Sequence, residues 1–81
     1  MVRVTLVGNL RQFADGISEL EIEAATIKQL FARLSERFPA LAPHLEDGMA
    51  VAIDGIIYQE ALLQPISDNA EVHVLPAIPG G

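Results

Sequence analysis

With 81 residues, 5 basic against 11 acidic side chains and 51% hydrophobic content, the chain makes one small acidic domain with a single modest core. The absence of cysteine excludes disulfides, thiolate metal sites and any cysteine nucleophile of its own, and no other metal site is expected. Without basic runs or interleaved aromatics there is no footprint for nucleic acid, and Arg3 and Thr5 break up the apolar N-terminus, so no signal segment or membrane span is read and a cytoplasmic location is expected.

Val2, Val4 and Leu6 alternate with Arg3, Thr5 and Val7, which predicts a first strand with one buried face. Gly8-Asn9 and Asp15-Gly16 then punctuate a loop carrying Leu10, Arg11 and Phe13. A second strand over residues 18–23 turns Leu20 and Ile22 inward and Glu19, Glu21 and Glu23 to water. Thr26 opens a helix, Gln29 completes a capping box, and Pro39 stops the helix after Phe38. Ile27, Leu30, Phe31, Leu34 and Phe38 recur at helical spacing as a core stripe, with Lys28, Gln29, Arg33, Glu36 and Arg37 on the solvated side. A short turn over residues 41–45 precedes a third strand, 49–53.

Asp54-Gly55 predicts a tight hairpin, because its turn type needs positive φ at both central residues. A short strand follows over residues 56–58, then a loop over 59–70, then a last strand over 71–75 with Val72 and Val74 on one face and Glu71, His73 and Leu75 on the other. Strand, strand, helix, strand, short strand, strand is the order of an α+β domain of β-grasp type, a mixed sheet packed on one main helix. In that layout the first and last strands lie parallel at the sheet centre.

The domain, residues 1–75, ends in an extended tail, residues 76–81: Pro76-Ala77-Ile78-Pro79-Gly80-Gly81. The prolines fix φ and remove two donors, so a flexible, projecting Gly-Gly tail is expected, with a reach of about 20 Å at full extension. Neither glycine has a Cβ, so the tail can thread a narrow channel and expose an unhindered carboxylate. That carboxylate is a poor electrophile until ATP-dependent activation by a second protein.

The chain resembles the MoaD/ThiS sulfur-carrier family of ubiquitin-like β-grasp proteins, which includes the small subunit of molybdopterin synthase. The resemblance spans the chain and is carried by Leu10-Arg11-Gln12-Phe13, Ile53-Asp54-Gly55, the stretch Pro65-Ile66-Ser67-Asp68-Asn69-Ala70-Glu71-Val72 and, most specifically, Leu75-Pro76-Ala77-Ile78-Pro79-Gly80-Gly81. Where the family often has Gly-Asp before the last strand this chain has Asn69-Ala70, and Asn tolerates the left-handed backbone.

The resemblance implies a carrier, not an enzyme. An E1-like adenylyltransferase would adenylate Gly81 with ATP, a persulfide sulfur donor would convert it to a thiocarboxylate, and a larger synthase subunit would receive the tail. No cofactor would be bound by the chain itself. Gly80, Pro79, Ile78, Ala77, Pro76 and Leu75 would make the partner contacts, with Leu75 and Ile78 as apolar anchors and Thr5 and His73 near the docking patch. Molybdopterin biosynthesis is the expected destination of the sulfur. Thiamine, cysteine or another thiolation pathway, conjugation to lysine as a ubiquitin-like modifier, and a β-grasp interaction module with an inert tail stay open. An enzyme using Ser67, Asp68 and His73, or His44, Glu46 and Asp47, lacks a nucleophile elbow or ligand spacing.

Overall fold

The alternation of the N-terminal residues becomes strand β1, Val2–Leu6, with Val2, Val4 and Leu6 buried. This is a computed structural model, and it describes residues 1–46, 49–59 and 61–76. β1 pairs antiparallel with β2, Glu19–Ile22, in the register Val4↔Leu20, which keeps Leu20 and Ile22 on the buried side. Between them the sequence pattern gave a loop, but residues Gly8–Phe13 wind into a 3-10 helix. Its one buried side chain, Leu10, joins the core and holds the turn in place.

Helix α1, Ile27–Arg37, begins as the capping box requires. The Gln29 N–H donates to Thr26 Oγ1 at 3.1 Å, and Gln29 Oε1 accepts from the Ala25 N–H at 2.6 Å. The reciprocal arm thus reaches one residue beyond the cap, to Ala25. Thr26→Ala should cost about 1 kcal/mol, read as a lower urea midpoint at unchanged slope, whereas Thr26→Ser should recover most of it. A 3-10 turn at Pro39–Leu41 and the short helix α2, Ala42–Glu46, carry Leu41 and Leu45 into the core.

Strand β3, Met49–Ile53, and strand β4, Ile56–Gln59, form the hairpin around Asp54 and Gly55, with φ of +49° and +89°. Strand β5, Glu71–Pro76, lies between β1 and β3, giving the order β2-β1-β5-β3-β4. It runs parallel to β1 and antiparallel to β3. Val4, Val72, Val74, Leu30, Leu34 and Leu41 are fully excluded from solvent at the centre of one hydrophobic cluster. This is the ubiquitin-like β-grasp fold, a mixed five-stranded sheet packed on a helix.

Candidate functional site

The strand that leads to the C-terminus is gripped at both ends. At its start, the Asp54 N–H donates to the Glu71 carbonyl at 2.9 Å and Asp54 Oδ1 accepts from the Glu71 N–H at 3.0 Å. The hairpin turn therefore clamps the entry to β5. Just upstream Asn69 takes φ of +64°, the left-handed conformation its sequence position suggested, and its N–H donates to the Met1 carbonyl at 3.1 Å. The Met1 ammonium donates to Asp68 Oδ1 at 2.8 Å. That bond raises the ammonium pKa above its ordinary value and lowers that of Asp68, and both groups remain solvent-exposed.

At the far end, the Val7 N–H donates to the Val74 carbonyl at 2.9 Å on one side, while Leu75 and Pro76 stand opposite Ala50 and Met49 on the other. The strand extends one residue further than its alternation suggested. Pro76 is tolerated because it is the terminal position, where a missing N–H removes no interior ladder bond. Leu75 is half-buried and Pro76 exposed. Of the residues expected to carry function, these two are described; Ala77, Ile78, Pro79, Gly80 and Gly81 lie outside the described residues.

The sheet face turned away from α1 surrounds this exit. In register across the strands, Thr5, His73, Ala52 and Ile57 form one row, and Leu75, Ala50 and Gln59 the next, with Val7 beside Leu75. Thr5 and His73 therefore do share the face with Leu75. Ala50, Ala52 and Ile57 join them, and sequence reasoning had assigned these no role. Their signal was present, because Met49, Val51 and Ile53 on the core side put the intervening alanines on the other face, where Ala52 is half-buried and Ala50 is completely covered. Glu21, Arg3 and Glu71 make a polar row at the opposite end of this face.

Of the alternative acid-base residues, Asp68 and His44 have structural partners of their own. Asp68 is bound to the N-terminal ammonium, His73 lies out on the sheet, and His44 stacks on Phe13 with ring centroids 3.9 Å apart. Asp47 lies outside the described residues. Among the described residues no group of acidic, histidine or cysteine side chains could hold a metal ion, and no helix is long and apolar enough to cross a membrane.

The model of the ThiS family matches residues 4–81. No protein of established annotation matches the sequence. Among solved structures, small archaeal modifier protein 1 from Methanosarcina acetivorans superposes with a TM-score of 0.77 at 26% identity, over 99% of this chain and 95% of the other. The complex of subunits 1 and 2 of the molybdopterin-converting factor from Helicobacter pylori contains a chain that matches with a TM-score of 0.70 at 26% identity, over 99% of this chain and 97% of that one. CysO of Mycobacterium tuberculosis gives a TM-score of 0.82 at 18% identity over 96% and 100%, a likeness of fold alone.

Proposed function

Because this chain belongs to the ThiS family of sulfur carriers, we propose that Gly81 is its working residue, an acyl group that is activated elsewhere and carries sulfur. An E1-like adenylyltransferase transfers AMP from ATP to the Gly81 carboxylate. The terminal sulfur of a persulfide donor then attacks the Gly81 acyl-adenylate, AMP leaves and an acyl disulfide forms. A second thiol cleaves that disulfide, is itself oxidised to a disulfide with the donor's inner sulfur, and releases the Gly81 thiocarboxylate. The chain itself contributes no catalytic side chain to these steps and binds no cofactor. It presents the tail, and it works in the cytoplasm.

The single observation that carries this reading is the join between tail and fold. The strand that precedes the tail is central, hydrogen-bonded to a neighbour on each side up to Val74, and still paired with β3 at Pro76. A fixed base lowers the ordering cost that a partner meets when it takes up a short peptide. Leu75, Pro76, Ala77, Ile78, Pro79 and Gly80 make the contacts that guide Gly81 into that partner, and the Val7, Leu75 and Ile57 side of the sheet rests against its surface.

The destination we favour is molybdopterin synthesis, with a larger synthase subunit as acceptor. Support comes from the molybdopterin-converting factor chain of Helicobacter pylori, which is found with its own second subunit. A second reading, conjugation to a lysine of another protein, is favoured by the equal identity to the archaeal modifier protein. The two differ in product. The protein recovered from its own cells should show an intact mass raised by one oxygen-to-sulfur replacement, located at Gly81 by fragmentation. An amide between Gly81 and a lysine of another protein would move the assignment to modifier. An unaltered Gly81 in the presence of ATP and an active adenylating enzyme would overturn both readings and leave an interaction module.

A further inference from the structure

Among the described residues the sheet ends in two edges of opposite character, β2 and β4. β2 carries Glu19 and Glu21, both exposed, and Glu23 follows it, while Leu20 and Ile22 face the core. A row of like charges protects an edge, because two such strands repel when they meet. β4, Ile56-Ile57-Tyr58-Gln59, has no charged residue and no proline, and Ile56 and Ile57 are 58% and 51% exposed on it. One edge is defended and the other is open.

The register fixes which backbone groups the open edge offers. Ile53 and Ile56 flank a two-residue turn with positive φ at both positions, so they close the hairpin as a hydrogen-bonded pair. Bonded and non-bonded pairs alternate from there, so Ile56 and Tyr58 bond to β3, and the N–H and C=O of Ile57 point away from it. The Asp54 N–H agrees with this count, since it donates to the Glu71 carbonyl on the β5 side of β3. Ile56 and Tyr58 lie opposite Ile53 and Val51 on the face that α1 covers, and Ile57 lies opposite Ala52 on the other. Tyr58 packs on the core, and Ile56 is beyond its cover.

We propose that β4 is a self-association edge, at which two copies pair antiparallel about a two-fold axis at Ile57. Each Ile57 N–H donates to the Ile57 carbonyl of the other copy. On the helix side Ile56 then stands across from Tyr58 of the second copy, a β-branched and aromatic pair at the close spacing of about 4.5 Å between Cα atoms. On the other side the two Ile57 side chains meet. The contact is self-complementary and uses no charge, which a strand of the same sequence satisfies.

Closure follows from the other edge. The paired sheet has β2 at both outer ends, so its glutamates stop further addition and the assembly ends at two copies. The two β5 strands lie five strand spacings apart, about 24 Å, and run in opposite directions. Both Pro76 ends are therefore clear of the contact. A four-residue strand makes a small interface and each chain has a net charge of −6, so the dimer is weak and strengthens as salt screens the repulsion.

Sedimentation of the full chain from about 10 μM to about 1 mM should show its mass rising from 8.7 kDa toward twice that value and no further, with the rise larger at high salt. Over the same range the Ile57 amide hydrogen should exchange at least about five-fold more slowly, because pairing takes it out of water. Ile56→Lys should stay monomeric at an unchanged Tm, whereas Leu63→Lys, at a site 79% exposed outside β4, should dimerise like the parent. The chain has no cysteine, so Ile57→Cys gives a second readout. Its two Cα atoms, about 5.5 Å apart across the axis, suit a disulfide, and oxidised glutathione should link this variant at least about ten-fold faster than Leu63→Cys. A mass that stays at one copy or climbs past two, a dimer whose Ile57 amide exchanges freely, dimerisation of Ile56→Lys, or equal linking of the two cysteine variants would overturn the inference. None of these readouts involves Gly81, so either result leaves the carrier reading where it stands.

Discussion

Deletion of Gly81 is expected to abolish thiocarboxylate formation while leaving the domain folded. The shortened chain still ends in a glycine, Gly80, so the loss tests position and not residue type. One residue fewer withdraws the carboxylate by about 3.5 Å. Misplacement of a reacting group by about 1 Å can already cost on the order of 100-fold, so ATP–pyrophosphate exchange supported by the shortened chain should fall by at least about that factor. Appending one further glycine should fail comparably, because the carboxylate then overshoots. Thermal unfolding of both variants should match the parent, since the core from Val2 to Val74 is untouched. Exchange within a few-fold of the parent in the deletion variant would show that Gly81 is not the activated residue.

Leu30→Ala should have the largest effect on stability. Leu30 is completely buried in the cluster that joins α1 to the central strands. Its truncation removes apolar contacts and leaves a cavity that the flanking valines of β1 and β5 cannot fill, at a cost of about 2–5 kcal/mol. A domain of this size has only about 4–12 kcal/mol of stability in total, so a large share is lost. For a domain under about 100 residues each kcal/mol moves the Tm by roughly 4–8 °C, and the midpoint should drop by at least about 8 °C. Leu63→Ala is the control: at 79% exposure it should shift stability by no more than about 0.5 kcal/mol. If the two variants unfolded alike, the placement of α1 on the sheet would be wrong.

The larger part of the fold was legible because its signals are local. Alternation in residues 2–6 placed Val2, Val4 and Leu6 inward, and the structure buries all three. Thr26 and Gln29 announced the helix start, and they make the capping bonds. Asp54-Gly55 demanded positive φ at two successive residues, and both have it. Even the parallel neighbourhood of the first and last strands followed, since one crossover helix and one sheet leave few arrangements.

For the candidate site the sequence alone supplied the composition from which the proposal starts: two prolines and two glycines among residues 76–81, no charged side chain there, and no cysteine in the sequence. Tertiary structure decided what surrounds the base of that end. Leu10 winds its segment into a 3-10 helix only because a core exists to receive it. Ile53 and Ile56 stand opposite each other in register, yet Ile53 is 8% exposed and Ile56 58%, because β4 is the edge strand. Pro76 joins a strand because Met49 lies across from it, and Ala50, Ala52 and Ile57 come beside Leu75 and His73 because β3 and β5 are neighbours in that register. Periodicity along a chain says which side a residue faces; only the pairing of strands distant in sequence says what stands next to it.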